Sequence, residues 1–102
     1  MLGELGRFSE PALYILISLA NEPKHGHAMT QDIEGMTGQR LGPGTLYGAI
    51  TRLEDRGWIE PLPADDRRRP YRLTREGQGV LRLRLEAMRA VTRIGQARLA
   101  NA

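Results

Sequence analysis

Three adjacent arginines, Arg67, Arg68 and Arg69, are the residues of this chain with the clearest chemistry. A guanidinium is a flat fork of donors that matches phosphate oxygens and the edge of guanine. Upstream of them, Thr45, Gly48 and Thr51 lie off the apolar stripe of a predicted helix and are expected to face outward. Tyr47, beside them, has two open roles: its hydroxyl can bond a phosphate, or its ring can pack beside the core. Lys24, His25 and Gly26 stand just before another predicted helix, where free backbone N–H groups suit a phosphate. His25 has the further role of capping or bracing that helix. A helix with exposed hydroxyls beside an arginine-tipped turn fits DNA, the helix in the major groove and the turn on the flanking backbone. Side chains alternate along a hairpin, so two of the three arginines are expected to reach DNA.

Other chemistries find little support. No nucleophile is paired with a base, and Gly42-Pro43-Gly44-Thr45 lacks the lysine of a phosphate-binding loop. His25 and His27 alone do not make a metal site, and with no cysteine there is no thiolate ligand and no disulfide. Neither a catalytic residue, a metal nor a cofactor is expected. The formal net charge is +3, from fifteen basic residues against twelve acidic ones, and all the basic residues but Lys24 are arginine. The absence of cysteine fits a reducing cytosol, no secretory leader is legible, and the longest apolar run, 12–20, is too short to span a bilayer. A cytoplasmic protein with no membrane partner is the expectation.

The elements that must hold these residues follow from spacing and caps. Ser9-Glu10-Pro11 starts a helix, with Ser9 as cap, and Ala12 to Ala20 is apolar nearly all round, so that helix is buried on more than one face. A second helix is predicted over Ala28 to Thr37, with Met29, Ile33 and Met36 as its buried stripe and Gly38 as its C-cap. Thr45 is expected to cap the third helix, whose stripe is Leu46, Ile50 and Leu53 and which stops at Gly57. Trp58 to Leu62 and Pro70 to Leu73 read as two short edge strands of a hairpin, with Trp58 packed at its base. Thr74 caps a last helix that runs to about Ala100. It carries one near-heptad seam through Leu81, Leu85, Met88, Thr92, Gly95 and Leu99, and a second stripe through Val80, Leu83, Ala87, Val91 and Ile94. Two stripes mean two surfaces to cover, one by the domain and one by a partner helix. The fold class is therefore mainly α with a small β-hairpin, a winged helix-turn-helix plus a C-terminal dimerisation helix. Residues 1–74 form the DNA-binding part and 75–102 the dimerisation helix, in one compact domain overall.

Four pieces of the chain, taken in order, resemble the PadR-like transcriptional regulators. Leu13 to Leu19 with Pro23, His25 and Gly26 resembles the family's first helix and Pro-x-His-Gly turn. Gly44-Thr45-Leu46-Tyr47 with Ile50, Arg52-Leu53-Glu54 and Gly57 resembles its most recognisable motif. Arg67-Arg68-Arg69 with Tyr71-Arg72-Leu73-Thr74 resembles its wing and return strand, and Glu76-Gly77 the opening of its last helix. The likeness is close as far as residue 80 or so and is one of type beyond it. Gly48 and His27 depart from it, since the family often carries a larger residue at the first position and an aromatic at the second. Asp65-Asp66, beside the wing arginines, tempers their attraction for phosphate.

The resemblance implies a homodimer that binds operator DNA and usually represses. It places the chain in the short subgroup with a single C-terminal helix. Leu81, Leu85, Met88, Thr92 and Leu99 are the expected dimer contacts. Some relatives respond to phenolic acids or hydrophobic cationic drugs, and Tyr14 and Met88 are the candidate contacts for such an effector. A two-fold dimer predicts a palindromic operator with half-sites about 10 bp apart or a multiple of that. The rival reading is a winged-helix module that binds protein, which the basic wing argues against.

Overall fold

The structure, a computed structural model, describes residues 10–102. Its elements in order are α1 (Glu10–Leu19), α2 (Gly26–Thr37), α3 (Pro43–Asp55), β1 (Ile59–Pro61), β2 (Tyr71–Leu73) and α4 (Arg75–Ala100). This is the expected class, four helices and one antiparallel hairpin. The cap expected at Ser9 lies outside the described residues. Because α1 is apolar nearly all round, it sits at the centre and touches α2, α3, α4 and β2. Around its Leu13, Ile15, Leu16 and Leu19 pack Met29 and Ile33 of α2, then Leu46, Ala49, Ile50 and Leu53 of α3. Ile59 of β1 and Leu81 of α4 close the core. Met36, expected in this core, is 44% exposed. The last turn of α2 overhangs the core, with Glu34 and Gly35 exposed beside it.

The caps move two helix starts. His25 is the N-cap of α2, its Nδ1 accepting from the Ala28 N–H at 3.3 Å, so the helix begins at Gly26 and not at Ala28. Gly42 is the N-cap of α3 and Pro43 opens it, which places Thr45 inside the first turn and not at the cap. The fixed φ of proline suits the first helical position and starts the helix sooner than threonine would. Two other boundaries hold as expected. Gly38 ends α2 in the left-handed conformation with φ of 76°, and Gly57 stops the chain after α3 with φ of 77°. At the last junction, the Thr74 hydroxyl donates to the Gly57 carbonyl at 2.7 Å and accepts from the Gly77 N–H at 3.0 Å. One side chain thus ties the end of α3 to the start of α4.

The hairpin pairs Ile59 with Leu73, Glu60 with Arg72 and Pro61 with Tyr71, and a Leu62 N–H to Pro70 carbonyl bond extends it. The strands are shorter than the sequence suggests, because Pro61, Pro63 and Pro70 have no N–H to give to a ladder. β2 is not an edge strand along its whole length: the Lys24 backbone bonds Tyr71 in both directions, at 3.1 and 3.0 Å. Beyond Leu62 the register slips by one. Asp65 pairs with Arg68, so Pro63 and Ala64 face the single residue Arg69, which is a bulge. Asp66 and Arg67 make the two-residue tip, with φ of 53° and 69°. Such left-handed pairs match the twist of a hairpin and make it a tight turn.

Only the first turns of α4 are covered. Leu81 is 5% exposed, whereas every residue from Leu85 onward is exposed. The helix projects from the helical head and accounts for much of the molecule's longest extent, 55 Å against 27 and 24 Å.

Candidate nucleic-acid interface

The groups expected to meet DNA come from three elements. On α3, Leu46, Ala49, Ile50 and Leu53 are buried, so rotation along the helix leaves Thr45, Tyr47 and Thr51 exposed and Gly48 partly so. The Thr51 hydroxyl donates to the Tyr47 carbonyl at 3.0 Å, which leaves its oxygen lone pairs and methyl facing outward. Tyr47 is 52% exposed, so its ring is not core. It lies across the start of α2 instead: a Cβ on Gly26 would sit 2.5 Å from the Tyr47 hydroxyl oxygen. Glycine at position 26 is what permits that approach.

Gly48 has open surroundings. A Cβ there would meet only an Arg52 guanidinium nitrogen, at 3.5 Å. Arg52 was not among the residues expected from sequence to contact DNA, yet it folds back over Gly48 on the same exposed helix face. The four-residue spacing of the two was the signal available for it. Since nothing crowds position 48, Gly48→Ala is expected to stabilise the protein by about 0.5–1 kcal/mol, the usual gain of alanine over glycine inside a helix. That is a rise in Tm of about 4 °C in a thermal melt. A fall would show that the site is packed.

At the start of α2 the structure separates the three expected contacts. His25 and Gly26 border the groove described below, with His25 half-buried. Lys24 does not join them in this structure. Its ammonium turns inward, donating to the Ser18 carbonyl and, at 2.7 Å, to Asn21 Oδ1, and lies 3.9 Å from Asp32 Oδ2. Asp32 in turn accepts from the Ser18 hydroxyl at 2.6 Å. The lysine neutralises the negative C-terminal end of α1 and is spent inside the head. The His25 and His27 rings are nearly parallel with centroids 6.5 Å apart, and among the described residues no cluster able to hold a metal includes them.

The wing arginines divide. Arg69 Nη1 donates to the Leu62 carbonyl at 2.9 Å, so this side chain folds back along the hairpin. Arg68 Nη1 reaches across to 3.4 Å from His25 Nε2. Arg67 stands at the tip, and none of the ion pairs among the described residues involves a wing arginine or Asp65 or Asp66. Between wing, α2 and α3 lies a groove of about 330 Å³, lined by 25–27, by Tyr47, by the three arginines and by Tyr71. It presents hydroxyls, imidazoles and guanidiniums, with no carboxylate in its wall. Burial pushes the Tyr71 phenol above its ordinary range, with Glu54 and Tyr47 adding and Arg69 opposing, so at neutral pH it is a proton donor.

The expected dimer and effector residues fall in different places. Leu81 is 5% exposed and packs with the head's own core, at the point where the helix begins to leave the head. A stripe read by periodicity does not reveal where the helix leaves the head. Leu85, Met88, Thr92 and Leu99 are exposed, and so are Leu83, Val91 and Ile94 of the second stripe. Tyr14 is half-buried against the core. A mixed groove of about 340 Å³ lined by Ala20, Leu73, Gln78, Leu81, Arg82 and Leu85 includes neither Tyr14 nor Met88. No described helix is long and apolar enough to cross a membrane.

Comparison with known proteins sharpens this picture. The model of the transcriptional regulator PadR-like family matches residues 15–83. The chain is 40% identical over 82 residues to an uncharacterized 37.1 kDa protein in transposon TN4556 of Streptomyces fradiae, covering 80% of this chain and 24% of that one. It is 40% identical over 72 residues to the transcriptional regulator Rv3488 of Mycobacterium tuberculosis, covering 68% of this chain and 66% of that one. It therefore spans about a quarter of the first relative and just under two thirds of the second. A PadR family transcription regulator from Clostridium difficile shares the fold with a TM-score of 0.79 at 21% identity, over 89% of this chain and 99% of that one.

Proposed function

The chain belongs to the PadR-like family of transcriptional regulators, which are not enzymes, and on that premise we propose that it is a homodimeric repressor of a palindromic DNA operator. The observation that carries the reading is the carboxylate-free groove where α3, the start of α2 and the arginine wing meet. A wall of donors without acceptor charge suits a phosphate backbone and repels little of it. In this reading α3 enters the major groove with Thr45, Gly48 and Thr51 outermost, and Tyr47 and Arg52 flank them. Arg67 and Arg68 hold the adjoining backbone.

Dimerisation is supported by the exposed apolar side chains of α4. Leu83 and Val91 are each 69% exposed on a helix that leaves the head bare on both stripes. Fully burying a side chain of this size contributes about 1.5–3 kcal/mol, so a partner helix has several such gains available. Residues 75–102 then serve as the dimerisation helix and 1–74 as the DNA-binding part. A small aromatic or hydrophobic effector that changed the spacing of the two heads would relieve repression.

The test is a footprint of the purified protein on DNA fragments selected from a random pool, together with its sedimentation. The expected result is a dimer that protects two symmetric half-sites about 10 bp apart or a multiple of that. Unsymmetric protection by a monomer, or no binding at low salt, overturns the reading, and the second outcome favours a protein-binding module.

A further inference from the structure

We propose that the start of α2 and the wing grip one and the same DNA phosphate, held jointly by His25 and Arg68 with the Tyr47 hydroxyl beside them. This rests on the DNA-binding reading above and assigns a single anion to a place where two elements meet. His25 Nδ1 accepts from the Ala28 N–H at 3.3 Å. A ring nitrogen that accepts carries no hydrogen, so the neutral ring bears its proton on Nε2. That Nε2 lies 3.4 Å from Arg68 Nη1, and arginine is a donor with no acceptor. In the tautomer that caps α2, two donors therefore face each other across the groove. The opposite tautomer would satisfy Arg68 but set a second N–H against the Ala28 N–H and uncap α2. A doubly protonated ring would do the same and add charge repulsion.

An acceptor oxygen between the two groups resolves the conflict without disturbing the cap. It takes the Nε2–H from one side and the guanidinium N–H from the other. A phosphate is suited to this position because its other oxygens remain for further donors. Tyr47 brings one, since its hydroxyl lies over Gly26 in the same groove. The groove's volume of about 330 Å³ is on the order of ten water volumes, ample for a phosphodiester group. His25 and Arg68 are 43 residues apart in sequence, so a shared phosphate fastens the wing to α2. That contact carries no sequence information but sets the depth and register at which α3 meets the bases.

The test is a double-mutant cycle on a mixed-sequence duplex at low salt, where backbone contacts dominate binding. Asparagine is a good N-cap, so His25→Asn keeps α2 capped while deleting the distal donor. Its Tm is expected to match that of the unaltered protein. Its affinity is expected to fall about fivefold, as for one lost hydrogen bond. Arg68→Ala alone is expected to cost about tenfold, as for a lost charge-assisted bond. Because both groups hold the same phosphate, the double variant is expected to lose little more than Arg68→Ala alone. Losses that multiply, or an unchanged affinity in His25→Asn, overturn the shared phosphate while leaving DNA binding intact. No binding by the unaltered protein overturns the DNA-binding reading and the grip with it. A free anion is separated by titrating inorganic phosphate and following the His25 ring by NMR. No saturation is expected at millimolar phosphate, and saturation there overturns DNA as the source.

Discussion

Changing Arg67, Arg68 and Arg69 together to alanine is expected to weaken binding to duplex DNA on the order of hundredfold at fixed low salt, with little change in Tm. The substitution takes the formal net charge from +3 to zero, since three cations are removed. All three side chains are exposed and none belongs to the core, so the fold has little to lose. The salt dependence carries the finer statement. Each phosphate neutralised by a cation adds about 0.9 to the slope of log affinity against log salt. Arg69 is already bonded to the Leu62 carbonyl and folded along the hairpin, so two arginines and not three should reach the backbone. The slope is therefore expected to fall by about two, and Arg69→Ala alone to have the smallest effect of the three single changes. Equal losses from all three would mean that Arg69 leaves Leu62 on binding. An unchanged affinity in the triple variant would remove the wing from the interface.

Gly77→Ala is expected to lower the Tm by about 15 °C, from a loss of about 3 kcal/mol. Alanine in a helix is ordinarily worth up to about 1 kcal/mol over glycine, so the sign is reversed here by contact. A Cβ on Gly77 would run into the backbone carbonyl of Trp58 and meet Leu73 Cδ1 at 2.9 Å. That carbonyl cannot swing aside cheaply, because it accepts from the Thr74 N–H at 3.0 Å. The same few residues carry the Thr74 hydroxyl bridge from Gly57 to Gly77. Separating them loosens α4 from the hairpin and so from the head. Gly79→Ala is the matched control, since nothing lies within 4 Å of its missing Cβ, and it should hold or raise the Tm. Parallel thermal melts decide the matter: if both substitutions behave alike, the close joint between α4 and the hairpin is not what stabilises this protein.

Several features are legible in the sequence because their causes are local. The stripe of Leu46, Ile50 and Leu53 is buried on α3 because helical periodicity puts spacings of four and three on one face. Gly38 and Gly57 end their segments in left-handed conformations that glycine adopts without steric cost, and Thr74 caps α4 through its own hydroxyl. Thr45 is not the cap of α3 because two local signals compete, and the proline at the first helical position prevails over the threonine. The exposure of Met36 and the burial of Leu81 share one reason. Periodicity gives the face of a helix but not how far along its length the covering layer extends.

From the sequence alone come the element order, the buried faces, the arginine tip and the resemblance to a family of DNA-binding regulators, all properties of neighbouring residues. Tertiary structure alone decided the directions of the long polar side chains. Lys24 turned inward because Ser18, Asn21 and Asp32 converge on it, and Arg69 turned back because the bulge sets it beside Leu62. It also brought His25, Tyr47 and Arg68 around one groove, although they stand on three elements. A flexible side chain with several rotatable bonds takes its direction from partners distant in sequence. No spacing rule specifies those partners until the core has placed the elements that carry them.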